Sequence, residues 1–382
     1  MSSKTRTGSS KTRTGTALVL ISALLTGPAQ AIPIFAQRYH LSCTACHTAI
    51  PELNTFGRSF REHGYQLPGI TRDGTTVAAV RFQFEWQQDP GPGDRRFEPA
   101  GVILPDQDAG KINAFLHYSL GALGGPGGIY LGYLTTYNAK TKSLYRVGLF
   151  ELPLNHSPGQ RLDDLAAYGY DQTHVGLNDL TLAAPRYGLD AERQVGMTRL
   201  MLTLTDGSYQ GAAYGGKPIA TGEITSPAQP EVGLFTRTTV VQGLELNTDA
   251  LLGERNIRVT GSTPFDDAYQ RLGWGLHEQI DRFDVLLQQW YGLDRDADGA
   301  GDALGSSGGF ARLKYYVTPH AYFGARYDTA AAPAALRDWV FYVGTAVTPH
   351  ARVLLERRSV FGTPGETWEG ALTLGFPWPA GL

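Results

Sequence analysis

The sequence predicts a mainly β chain: a short α-helical segment near the N-terminus, then an antiparallel transmembrane β-barrel of about 14 to 16 strands, with about 16 preferred because such barrels carry even numbers. Three observations predict this. The 382 residues include 47 glycines and 22 prolines but only two cysteines, with 11% aromatics, which argues against a helix bundle, a disulfide-stapled scaffold and disorder. No apolar run beyond the extreme N-terminus reaches the roughly 18 residues a spanning helix needs. From about residue 75 onward, stretches of about ten residues alternate apolar and polar side chains between clusters of Gly, Pro, Asp and Ser, the signature of strands that face lipid on one side.

The first segment reads as an address rather than as structure. Lys4, Arg6, Lys11 and Arg13 form a positive region, partly by duplication of Ser2 to Gly8 as Ser9 to Gly15. The apolar stretch Thr16 to Leu25 and the Ala29-Gln30-Ala31 cleavage site follow, so residues 1–31 are expected to be a cleaved signal peptide. Its removal takes away four positive charges and leaves 29 Lys and Arg against 36 Asp and Glu, moving the formal charge from -3 to -7. An exported acidic chain is a poor match for nucleic acid.

Both cysteines fall in Cys43-Thr44-Ala45-Cys46-His47, the spacing that attaches a c-type haem. Two thiols three positions apart each add to one haem vinyl group, and the adjacent imidazole presents itself to the iron from the proximal side. A thioredoxin-like site would sit in a βαβ context that is absent here, and zinc wants four ligands where two thiolates exist. One motif implies one covalent haem c, held by Cys43, Cys46 and His47.

Downstream, Pro51 to His63 reads as a helix with Pro in its first turn and Gly64 closing it. Leu53, Phe56, Phe60 and His63 recur on one face, while Glu52, Arg58, Arg61 and Glu62 point elsewhere; the apolar face is expected to lie on the haem pocket. For the sixth ligand of the iron His63 is the leading candidate. His40, Met197 and Met201 are weaker ones, the two methionines being the only ones of the mature chain. The choice matters because Met ligation raises the potential relative to two imidazoles.

Pro33-Ile34-Phe35-Ala36, the haem motif, Pro51-Glu52-Leu53-Asn54, Phe56-Gly57-Arg58, Phe60 and Gly64-Tyr65 together resemble the N-terminal segment of the fused outer-membrane cytochrome-porins, monohaem proteins with members in iron-oxidising bacteria. The resemblance covers about residues 33 to 65. It implies a haem segment over residues 32–70, an outer-membrane barrel over 71–382, and electron transfer between an extracellular donor or acceptor, Fe(II) foremost, and a periplasmic carrier such as a soluble cytochrome. Whether this makes the chain an Fe(II) oxidase or only an electron-transfer protein stays open. So do two alternatives: a passive porin with a haem plug, and a soluble periplasmic monohaem carrier.

The strands are read independently of that resemblance. Ala78, Val80, Phe82, Phe84 and Trp86 share one face against Arg81, Gln83 and Glu85. Ala311, Leu313, Tyr315 and Val317 oppose Arg312 and Lys314, and Ala351, Val353 and Leu355 oppose Arg352, Glu356 and Arg358. The last strand sets Trp368, Leu372, Leu374 and Phe376 against Glu369 and Thr373. A charge facing lipid near the midplane costs about 2–4 kcal/mol, so the charged faces must line a polar lumen. Around Arg199 the same logic sends Met197, Arg199, Met201 and Thr203 inward and Leu200, Leu202 and Leu204 outward. Val317-Thr318-Pro319-His320-Ala321 returns as Val347-Thr348-Pro349-His350-Ala351, a hairpin repeat in which both histidines are turn residues. Trp86, Trp290, Trp339, Trp368 and Trp378 fall near strand ends, as interfacial girdles require. The closing Pro377-Trp378-Pro379-Ala380-Gly381-Leu382 is expected to trail beyond the barrel.

Asp294 to Asp302 begins like a calcium loop, but Gly305 stands where the twelfth-position acid belongs, and a solvated barrel loop explains it. No serine-histidine-acid set, phosphate-cradling loop or catalytic carboxylate pair is defensible from spacing. A secreted β-sandwich is the competing fold.

Overall fold

The computed structural model describes residues 39, 41, 43–49, 52–67, 76–88, 94–103, 112–119, 128–156, 164–207, 224–259, 261–331, 335–348, 351–362 and 365–379. The signal segment 1–31, Pro33 to Ala36, His40, Pro51 and His350 lie outside the described residues.

An N-terminal unit comes first: a four-residue helix α1 (Cys43–Cys46), a small antiparallel pair β1 (His47–Ala49) and β2 (Glu52–Leu53), and helix α2 (Thr55–Glu62). Sixteen barrel strands follow among the described residues: β3 (Thr76–Gln88), β4 (Asp94–Ile103), β5 (Ile112–Ser119), β6 (Gly128–Asn138), β7 (Ser143–Phe150), β8 (Arg186–Val195), β9 (Thr198–Thr205), β10 (Ile224–Val241), β11 (Leu244–Arg258), β12 (Phe265–Ile280), β13 (Phe283–Asp294), β14 (Leu304–Thr318), β15 (Ala321–Ala331), β16 (Leu336–Thr348), β17 (Ala351–Val360) and β18 (Thr367–Pro379). Each pairs antiparallel with its neighbours in sequence, and β18 returns to β3 with Leu372 opposite Phe84, so the sheet closes on itself. Closure removes both edges and satisfies the ladder internally, which is what a lipid environment demands and a sandwich does not provide.

The alternation falls as the charge cost requires. On β14, Ala311, Leu313 and Val317 are exposed while Arg312 and Lys314 are buried. On β16, Trp339, Phe341 and Val343 face outward and Asp338, Val340 and Tyr342 inward. Lumen glycines make room for large rings: a Cβ at Gly324 would run into the Tyr342 ring, and one at Gly344 into Tyr322.

Connections differ at the two ends of the cylinder. The turns joining β6 to β7, β8 to β9, β10 to β11, β12 to β13 and β14 to β15 are two to four residues, and the β16 to β17 turn is equally short. The Pro319-His320 pair of the 30-residue repeat occupies the β14–β15 turn, as the repeat predicts, and His320 is exposed. At the opposite end the connections run from four residues, between β15 and β16, to 35, between β7 and β8, and this longest one, described in part, folds back into the barrel; the eight-residue β4–β5 connection is the long one at the short-turn end.

Three expectations need correction. Trp290 is wholly buried on the lumen side with Leu152, Leu154 and Tyr170, not in a girdle; its register on β13 puts it on the inner face. Outward aromatics do gather at each end, Trp86, Trp339 and Trp368 toward the longer loops, and Phe283, Tyr315 and Phe323 in ring contact at 4.9 and 5.4 Å toward the short turns. Pro377 to Pro379 do not trail: they pair with Ala79, Ala78 and Thr76 in the closing strand, prolines being tolerable at a strand terminus. Met197 does not face the lumen; it lies in the turn before β9 and is 64% exposed.

Candidate functional site

The haem motif forms one turn of helix followed by the short β1 strand. Within a helical turn positions i and i+3 lie on the same side, so the α1 backbone carries Cys43 and Cys46 toward a common face, with His47 next in line. The side chains of Cys43 and His47 lie outside those described; Cys46 is half-buried.

Asn54 fastens the next helix to this turn. Its side chain accepts from Gly57 N at 2.9 Å, the N-cap bond that starts α2, while its Nδ2 donates to Ala45 O at 3.0 Å and its own N–H to Cys46 O at 2.9 Å. An N-cap of this kind satisfies a donor the first turn leaves orphaned, and here the same residue holds the motif. It also explains why α2 begins at Thr55 rather than at the expected Pro51: Glu52 and Leu53 are taken by the pairing with β1. Gly57 lies so close to the motif that a Cβ there would collide with Cys46 O.

The C-terminal end of α2 closes as a Schellman motif. Gly64 sits at φ 64°, Tyr65 N donates to Phe60 O and Gly64 N to Arg61 O, both at 3.0 Å, and the Tyr65 and Phe60 rings meet edge to face at 5.7 Å. Phe60 is buried and also meets Tyr39 at 5.4 Å. Phe56, stacked parallel on Phe60 at 6.4 Å, keeps 41% of its surface exposed.

Lumen side chains receive this unit. Glu62 is gripped by Arg237 at 2.9 Å and Arg199 at 3.5 Å, and Arg199 also donates to Glu62 O at 3.0 Å. Asn113 donates to Gly64 O at 2.7 Å, and Tyr65 stacks on Phe115 at 6.3 Å. Arg199, Tyr137 and Asn113 stand near the short-turn ends of their strands, so α2 crosses the barrel at that end.

His63 caps α2 half-buried, its ring edge-on to Tyr137 at 4.6 Å and its Nδ1 2.5 Å from Ser59 O. That contact makes Nδ1 a donor and leaves Nε2 as the nitrogen able to ligate. Met201 is buried in the lumen, packed in one apolar cluster with Leu152, Leu154 and Phe235.

The sequence reading missed a second insert. The β7–β8 connection carries Leu152, Leu154, Ala166, Tyr168, Tyr170, Val175, Leu180 and Leu182 buried inside the cylinder. Arg326 ties it down: it pairs with Asp164 and with Asp328, and donates to the carbonyls of Ala166 and Ala167. Glu356 accepts from Leu165 N at 2.7 Å and Ala166 N at 2.8 Å. Tyr170 hydrogen-bonds Ser306 at 3.1 Å, and burial pushes its phenol above the ordinary range. His156 is 2.5 Å from Asp171 and lies edge-on to Tyr168 and Phe310. The lumen is thus charged on its wall, as expected, but apolar at its centre. The available signal was length: a 35-residue connection rich in leucine is too long and too greasy for a solvated loop.

The acidic loop spends its oxygens on its own turn. Asp296 accepts from Gly301 N at 2.7 Å and Asp298 from Ala300 N at 3.0 Å, while Asp294 is buried against Arg271. Among the described residues no three metal-ligating side chains converge.

No family model matches the chain, and no curated protein matches it. Solved structures do. The outer membrane channel DcaP of Acinetobacter baumannii superposes with a TM-score of 0.52 at 11% identity, covering 78% of this chain and 96% of that one. An OmpF of Salmonella typhi, in complex with daunomycin, gives 0.53 at 8% identity over 79% and 98%. An anion-selective porin from Comamonas acidovorans gives 0.53 at 7% over 80% and 99%. With the closed ring of strands, these likenesses show a porin-type β-barrel fold.

Proposed function

We propose that this chain is an outer-membrane cytochrome-porin, a barrel plugged near one mouth by a segment bearing one covalent haem, which passes electrons between an extracellular donor, Fe(II) being the leading candidate substrate, and a periplasmic carrier. The membrane location is supported by the outward apolar belt, the two aromatic girdles, and the contrast between short turns and long loops, the latter facing outside in barrels of this kind. That belt also speaks against a soluble periplasmic carrier.

One observation carries the reading: the helix that Asn54 fastens to the C-x-x-C-H turn is held across the lumen by Glu62, Arg199 and Arg237. The residues suit the cofactor. Cys43 and Cys46 would hold it through thioethers, His47 would ligate the iron, and His63 Nε2 is the candidate opposite ligand, its ring fixed by Ser59 and Tyr137. Phe56, an exposed ring beside the motif, is the kind of surface that a macrocycle covers. When bound, haem supplies a reversible one-electron couple. The chain's own residues hold the N-terminal segment near the short-turn mouth and pack the Leu152 to Leu182 insert into the lumen, restricting water and solutes.

A second reading, a passive porin whose plug merely carries haem, is favoured by the channels and porins among the structural neighbours. Haem staining of fractionated membranes tests the cofactor; dye reduction inside proteoliposomes against conductance in planar bilayers separates the two readings. Covalent haem with transmembrane reduction and little open-channel current is the expected result. Open-channel current without transmembrane reduction favours the passive porin, and a colourless chain overturns both.

A further inference from the structure

The barrel is electrically polarised along its axis. At the short-turn end, Lys140 and Lys142 of the β6–β7 turn, Arg193 at the end of β8 and Arg282 of the β12–β13 turn are all exposed. Among the described residues Asp281 is the exposed acid facing them, with Glu245 and Glu278 half-buried nearby. At the long-loop end acids are in slight excess: Asp206, Asp266, Asp298, Asp302 and Glu366 are exposed against Arg258, Arg295 and Arg337, and Glu366 is paired with Arg357. A chain with 36 acids and 33 bases thus shows, among the described residues, four exposed bases against one exposed acid around the mouth that α2 crosses.

Turn geometry does not require those bases. Asn138 Oδ1 already accepts from Lys140 N at 3.0 Å and shapes the β6–β7 turn, and Lys142 sits at φ 50°, where glycine or asparagine would be less strained. Both lysines also project past the paired ends Asn138 and Ser143, beyond the strand ladder.

We propose that this rim docks an acidic soluble electron carrier, a proposal that rests on the electron-transfer reading above. Such a partner is steered by opposite charge to the mouth nearest the haem segment, and salt-sensitive rim contacts set how fast it arrives more than how tightly it stays. The acidic far end repels the same partner and gathers cations.

The test uses the full chain in nanodiscs of zwitterionic lipid, with plastocyanin as the acidic probe and mitochondrial cytochrome c as the basic one. Plastocyanin should bind at low salt, lose about tenfold in affinity on raising salt from about 0.02 to about 0.2 M, and lose about tenfold or more with K140E/K142E/R193E/R282E. The milder K140Q/K142Q pair should show part of that loss with the folded, heat-modifiable gel mobility intact. Cytochrome c binding should not weaken in either variant. The C43S/C46S chain should still bind plastocyanin, so failure of haem attachment is read separately. Equal plastocyanin binding by wild type and both variants overturns the proposal. So does a variant that keeps plastocyanin binding and loses only its affinity for anionic vesicles, which would assign the rim to lipid headgroups.

Discussion

Glu62 and Arg237 form an ion pair at 2.9 Å inside the lumen, and the same guanidinium donates to Leu154 O at 3.3 Å. One wall residue therefore touches both objects that fill the barrel, the haem-segment helix and the β7–β8 insert. Arg237→Met should loosen both. Leaving Glu62 beside Arg199 alone in a partly wet site is expected to cost about 1–3 kcal/mol, below the cost of a fully buried orphan. Limited proteolysis of the folded protein should then release the N-terminal segment sooner than in wild type, and unchanged cleavage would remove Arg237 from the account.

The clamp between Asn54 and the motif makes Gly57 a position of low tolerance. Gly57→Ala puts a methyl group against Cys46 O, so α2 must move away from the cysteine turn. Covalent haem yield per folded barrel, by stained gel against heat-modifiable mobility, should fall several-fold, while the barrel itself forms normally because α2 is not part of its ladder.

His63 and Met201 give opposite expectations. His63→Ala should convert a low-spin absorption spectrum to a high-spin one if Nε2 is the sixth ligand, whereas Met201→Leu should leave the spectrum untouched, since Met201 is packed with Leu152 and Phe235. A spectrum that ignores His63 and responds to Met201 would reverse the assignment.

Much of this architecture is legible in the sequence. Period-two alternation with charges on one face located the walls, because a membrane allows no other placement of Arg312, Lys314 or Arg352. The Val-Thr-Pro-His-Ala repeat located the β14–β15 turn at Pro319-His320. What stayed hidden was whatever depended on a partner distant in sequence. The start of α2 depends on Asn54 reaching Ala45 and Cys46, and the inward face of Trp290 on where the β13 register falls. The β7–β8 insert is held by Arg326 and Glu356, each some 160 to 190 residues away. Irregular segments carry no periodicity, so their apolar residues did not announce that they were core.

The insert's anchor supplies the next test. Arg326 is fully buried among Asp164, Asp328 and two loop carbonyls. Arg326→Met removes the guanidinium that both buried carboxylates share, a loss of about 3–5 kcal/mol for a broken buried pair. The insert should detach before the barrel unfolds, seen as larger and noisier single-channel conductance at ordinary heat-modifiable mobility. Unaltered conductance would mean that the insert is held by its apolar contacts alone.

Val343 tests which side of the wall meets lipid. It lies near the middle of β16, 49% exposed, beside the inward Tyr342. Val343→Arg places a charge in hydrocarbon and should lower folding stability in vesicles by about 2–4 kcal/mol, read from denaturant titration of refolding. The same change at Val347, exposed at the end of β16 near the short turns, should cost about 0–1 kcal/mol, because an arginine there reaches the headgroups. Equal costs at the two positions would mean that no depth gradient runs along β16, and the strand would not be crossing a bilayer.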